Sequence, residues 1–168
     1  MILARPVSVI KQDIQAIAPY LSSKTLVIDV GSSKLEINEV AAKYLKQNIF
    51  VGCHPMAGSN YQGVYNAKKD IFKNSICFVT KKNNKIEKFW KLLGAKPVFV
   101  SGDSHDKWVA NMSYLPHIMA FSMFLAAKDL KVGDKFFQKM RGNLNPSALQ
   151  IARLAFSNVE LWTLVLLS

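Results

Sequence analysis

Acidic side chains are scarce in this chain: 11 Asp and Glu stand against 22 Lys and Arg, for a net charge of +11. That balance disfavours a cation-collecting surface and attracts anions, whether phosphates, carboxylates or nucleic acid. Cysteine is scarcer still. Cys53 and Cys77 are the only two, too few for a disulfide framework. Neither has a Cys or His partner at zinc-finger spacing, so a reducing, cytoplasmic setting and no metal site are expected. No Gly-x-Gly-x-x-Gly turn occurs, so the usual glycine-rich cradle for a dinucleotide pyrophosphate is lacking. No basic leader with an apolar core opens the chain, which argues against a signal peptide. The stretch 108–127 lacks charge and is about long enough to cross a bilayer. Its Asn111, Ser113, Pro116, His117 and Ser122 favour a helix buried in protein, because hydrocarbon penalises such groups. There are no repeats and no low-complexity stretches. The basic residues are scattered, and the densest run, Lys81-Lys82 with Lys85 and Lys88, reads as a solvated helix start. No aromatic-rich strand motif accompanies it, which disfavours sequence-specific nucleic-acid binding.

What is present is an alternation. Ile2-Leu3-Ala4 reads as the end of a buried strand, and Arg5-Pro6 turns into a helix with Val7, Ile10, Ile14, Ile17 and Leu21 at helical spacing. Lys24 to Val30 is the next strand, and Gly31-Ser32-Ser33 opens a second helix carrying Leu35, Val40, Ala41 and Leu45. Ile49 to Val51, Ser75 to Thr80 and Lys96 to Val100 are further strands. Between the last two, a helix marked by Ile86, Phe89, Trp90 and Leu93 is stopped by Gly94. Such alternation predicts βαβ crossovers and a largely parallel sheet. From Asp103 onward the pattern is helical. Asp103 or Ser104 can cap a long helix with Asp106 in its first turn, and Pro116 should kink it. A second helix is expected over about 135–140 and a third over 147–167. The fold class is therefore α/β followed by all-α, with residues 1–102 forming an incomplete Rossmann-like domain and 103–168 a helical one. The first strand reads as mid-sheet and the apolar run 161–168 has no capping residue, so both ends read as cut.

The stretch around which the rest is organised is Val51-Gly52-Cys53-His54-Pro55-Met56-Ala57-Gly58-Ser59, running on to Gly63. A histidine at the carboxyl end of a buried strand stands where open α/β sheets bind ligands. Pro55 restricts His54 to an extended backbone, and Gly58 and Gly63 permit close approach of a ligand.

Taken in order, several segments resemble the prephenate dehydrogenase family of tyrosine biosynthesis. Ala4-Arg5-Pro6-Val7 resembles its Ala-Thr-Pro-Val turn, and Asp29-Val30-Gly31-Ser32-Ser33-Lys34 its Asp-x-Gly-Ser-Val-Lys. His54-Pro55-Met56-Ala57-Gly58-Ser59 reproduces its signature loop. His105-Asp106 with Ser113-Tyr114-Leu115-Pro116-His117 resembles its His-Asp and Leu-Pro-His helix, and Arg153-Leu154-Ala155 with Trp162 its Arg…Trp segment. The resemblance implies oxidative decarboxylation of prephenate or arogenate with hydride transfer to NAD or NADP, in a homodimer held through the helical half. It implies that His54 is the base for the hydroxyl proton, where an imidazole titrating near pH 6.5 suits the task. Ser32, at a helix start, would hydrogen-bond and orient it. It further implies that His117, Arg153 and Tyr114 bind substrate, and that Pro6, Asp29, Gly31 and Ser32 line the cofactor. His105 reads instead as a structural or capping group near the domain junction, and Trp108 and Trp162 as packing. The competing readings are a dimerising remnant without turnover and a basic nucleic-acid-binding module.

Overall fold

The computed structural model describes residues 1–47, 49–58, 65, 67–120 and 122. The expected helices over 135–140 and 147–167, with Gly63, Arg153 and Trp162, lie outside the described residues. Two compact units are present, Met1–Lys107 and a second beginning at Trp108.

The first unit is built on a sheet of five strands in sequential order: β1 (Ile2–Leu3), β2 (Leu26–Asp29), β3 (Ile49–Pro55), β4 (Ile76–Val79) and β5 (Lys96–Phe99). The first three strands run parallel, β4 returns antiparallel to β3, and β5 is parallel to β4. The sheet is thus Rossmann-like and mostly parallel, with one reversal. β3 is longer than the apolar run suggests. Gly52, which looks like a strand breaker, keeps its place because its N–H donates to Thr80 Oγ1 at 3.0 Å and its carbonyl accepts from Thr80 N at 2.9 Å. Pro55, lacking an N–H, is tolerated because it ends the strand.

Period-two alternation gives each face its own core. On one face Leu3 and Val27 pack with Ile10 and Ile14 of α1 (Val7–Ile17) and Ile37 and Ala41 of α2 (Leu35–Tyr44). On the other, Ile28, Val51, Cys53, Cys77 and Val79 meet Ile86 and Trp90 of α3 (Asn84–Leu92). The Trp90 ring N–H donates to Cys53 Sγ at 3.4 Å, so the one polar atom of that buried indole has a partner. Asn83 caps α3, accepting from Lys85 N at 3.0 Å and Ile86 N at 3.2 Å, and Gly94 ends the connection at φ +82°, a conformation glycine adopts without steric cost.

α4 (Gly102–Val109) starts one residue before the expected caps. Ser101 Oγ, not Asp103 or Ser104, accepts from Ser104 N at 3.2 Å. In the second unit a π-helical turn, Ala110–Tyr114, is followed by helix over residues 115–120. The wide turn sits directly ahead of Pro116, whose ring and missing N–H disfavour regular α-helical bonding there. Among the described residues no helix is long and apolar enough to cross a membrane.

Candidate active site

The parallel strands deliver their carboxyl ends to one edge. Leu3 pairs with Asp29 and Asp29 with Gly52, so Arg5-Pro6, Val30 to Lys34, and His54 leave the sheet side by side. His54 shares a face with Gly52 and projects toward the α1/α2 side, opposite in sense to Cys53. Its Nδ1 lies 2.9 Å from Nε2 of His105, and the rings meet edge to face with centroids 5.1 Å apart. His105, 1% exposed, comes from α4, and its Nδ1 lies 2.6 Å from Asp106 Oδ1. Phe78, opposite His54 in the register, closes the far side with its ring centroid 5.3 Å from that of His105.

Asp106 does not serve its own helix. Its Oδ1 accepts from Lys34 N at 2.8 Å, and its Oδ2 from Leu35 N at 2.8 Å. These are the orphan donors at the start of α2, so the cap arrives from another element. The expected opening of that helix at Gly31-Ser32-Ser33 is corrected accordingly: α2 begins at Leu35. Burial works against ionisation of Asp106. The hydrogen bonds from His105, Leu35 and Lys34 outweigh it and hold the carboxyl below its ordinary range.

Beneath lies a pair that sequence reasoning missed in part. Lys34 and Asp29 have side chains with no exposure, joined Nζ to Oδ2 in an ion pair, and Asp29 Oδ2 also accepts from Gly31 N at 2.9 Å. Burial pushes Asp29 up and Lys34 down, while their mutual attraction opposes both shifts. For His54, burial first, then the His105 ring and the Lys34 charge, lower the imidazole to about 3, with Asp106 opposing. The expected titration near 6.5 is thus corrected. His54 is uncharged near neutral pH chiefly because burial disfavours the charged ring, with the His105 ring and the Lys34 charge adding to the effect.

The other sequence-derived residues fall as follows. Ser32 is half-buried in a bend, and among the described residues no hydrogen bond links it to His54; the partner is His105. Asp29 and Gly31 are enclosed. A Cβ on Gly31 would stand 3.0 Å from Val7 Cγ2 and 3.3 Å from Ile10 Cδ1, so a side chain there would press on α1. Pro6 is exposed. In the second unit, Tyr114 ends the π-helical turn and His117 Nδ1 donates to the Ser113 carbonyl at 2.7 Å. The signal for His105 was the His105-Asp106 dipeptide in an acid-poor chain.

The family model described as the prephenate dehydrogenase nucleotide-binding domain matches residues 1–99. The chain belongs to the prephenate dehydrogenase family. The prephenate dehydrogenase of Lactococcus lactis subsp. cremoris is 31% identical over 171 residues, covering 100% of this chain and 48% of that protein. Among solved structures, Synechocystis arogenate dehydrogenase superposes with a TM-score of 0.78 at 27% identity, covering 96% of this chain and 60% of that one. An Aquifex aeolicus prephenate dehydrogenase, solved with hydroxyphenyl propionate and NAD+, gives 0.83 at 23% identity, covering 99% and 59%, a likeness of fold. The chain thus spans about half the length of the curated prephenate dehydrogenase to which it is similar along its whole length.

Proposed function

We propose that this chain is the part of a prephenate or arogenate dehydrogenase in which the substrate hydroxyl is deprotonated as hydride departs. The observation that carries this is the place of His54 at the carboxyl edge of the parallel strands, backed by His105 and Asp106. An uncharged imidazole is ready to accept a proton, and its folded value of about 3 makes it a weak base. An anionic substrate beside it would raise that value, matching base strength to the bound state.

Pro6, exposed, and Ser32, half-buried, fit a nicotinamide nucleotide held along the β1–β2 edge, while enclosed Asp29 and Gly31 support that edge from below. When bound, NAD or NADP supplies the hydride acceptor. His54 takes the hydroxyl proton, and the net positive chain attracts a dicarboxylate. Arg153, His117 and Tyr114 are proposed to bind that dicarboxylate, the arginine as a bidentate fork. Residues 103–168 are proposed as the helical substrate and dimerisation domain, in a cytoplasmic homodimer.

The test uses the full-length gene product with prephenate or arogenate and NAD or NADP, following absorbance of the reduced nicotinamide. Turnover dependent on both is expected. A folded protein that produces no reduced cofactor with either substrate would sink the proposal.

A further inference from the structure

We propose that His105 and Asp106 fix the tautomer of His54, placing its proton on Nδ1 and leaving Nε2 as the atom that accepts the substrate proton. The steps are geometric. A carboxylate only accepts hydrogen bonds, so at 2.6 Å the Nδ1 of His105 donates to Asp106 Oδ1. With that ring neutral, its Nε2 holds a lone pair. The contact of 2.9 Å to His54 Nδ1 is then a hydrogen bond donated by His54. The assignment is that of the neutral pair of rings: a doubly protonated His105, ion-paired with Asp106, would reverse it by donating its Nε2–H to His54 Nδ1. Asp106 is itself held in place by the amides of Lys34 and Leu35 at 2.8 Å each. The chain of bonds therefore runs from the start of α2 to the reactive ring. His105 touches no reacting atom in this scheme and is a positioning residue. The orienting bond ascribed to Ser32 from the family resemblance is supplied here by His105.

The consequence for turnover rests on the dehydrogenase reading, but the tautomer does not, so the two are tested separately. The chain has three histidines, and 15N-labelled histidine gives a small set of ring signals, assigned by His117→Gln and His54→Gln. At a pH above the ordinary imidazole range, His54 should show a protonated, pyrrole-type Nδ1 and an unprotonated, pyridine-type Nε2. His105→Phe keeps the ring volume but removes the acceptor, and should move the His54 proton to Nε2. His105→Gln, with an amide oxygen in reach, should restore it to Nδ1. A pyrrole-type Nε2 in the unsubstituted chain overturns the proposal without any variant having to fold. So does a His54 tautomer that His105→Phe leaves unchanged. In the full-length protein His105→Phe should lower kcat by about 10² or more, the scale of a misprotonated base, with KM little changed, and His105→Gln should recover most of it. A full-length protein with the expected tautomer and no turnover would fail the dehydrogenase reading and uphold this one. Turnover with the proton on Nε2 would do the opposite.

Discussion

The Lys34 side chain has no solvent contact, and among the described residues Asp29 is the only carboxylate paired with its ammonium. Removing one partner leaves an uncompensated charge in the interior, which costs about 3–5 kcal/mol, whereas replacing both by apolar groups can be nearly neutral. Lys34→Met should therefore lower unfolding free energy by about that much, and Lys34→Met with Asp29→Leu by far less, as read by denaturant titration. His54 makes a separate pH prediction. Its folded value of about 3 lies below the ordinary 6.5, so as pH falls the unfolded chain binds the proton first. The contribution of His54 to stability is then complete above 6.5 and is lost as pH falls toward 3, with a slope of at most about 1.4 kcal/mol per pH unit. The neighbouring charged and titratable groups are His105, Lys34 and Asp106, so the unsubstituted chain carries their effects as well. The difference between it and His54→Asn isolates the His54 share, and stability of the variant should fall less steeply between about pH 7 and pH 5.

At the level of elements, the joint between β3, α2 and α4 is set by missing side chains. A Cβ on Gly52 would meet Asn38 Oδ1 at 2.7 Å and Thr80 Oγ1 at 2.9 Å, and one on Gly102 would meet Asn38 Nδ2 at 2.7 Å. Gly52→Ala should cost about 1–3 kcal/mol by overpacking, and Asn38→Ala in the same chain should return part of that loss. Calorimetric melting of the single and double variants measures the coupling. Asn83→Ala should cost about 1 kcal/mol, because two amides of α3 lose their acceptor. The helices and strands were legible where burial is periodic: α1, α3 and β2 fall within the segments read from their apolar spacing. The start of α2 was not. Its cap is Asp106, 72 positions from Lys34, and no rule based on neighbouring residues can see such a partner. His54 was found because Pro55 and the glycines around it break the pattern of a core strand. His105 was undervalued because its significance comes from a contact 51 positions away.

For the whole molecule the surplus of 11 positive charges dominates over local pairing. The exposed ion pairs Arg5–Asp13, Lys11–Glu36 and Lys107–Asp103 contribute little each, so screening should relieve more repulsion than attraction. Raising NaCl from about 0.01 M to about 0.15 M, which shortens the Debye length from about 30 Å to about 8 Å, should raise Tm in thermal melts. A fall would mean that attractive pairs prevail. Asp106 links this global picture back to chemistry. One carboxylate both caps the start of α2 and holds the ring bonded to His54, the proposed base, so the proposed reactivity and local folding are expected to open and close as a single cooperative unit. Lesions there would register as catalytic in a rate assay and as structural in hydrogen exchange, with neither instrument in error.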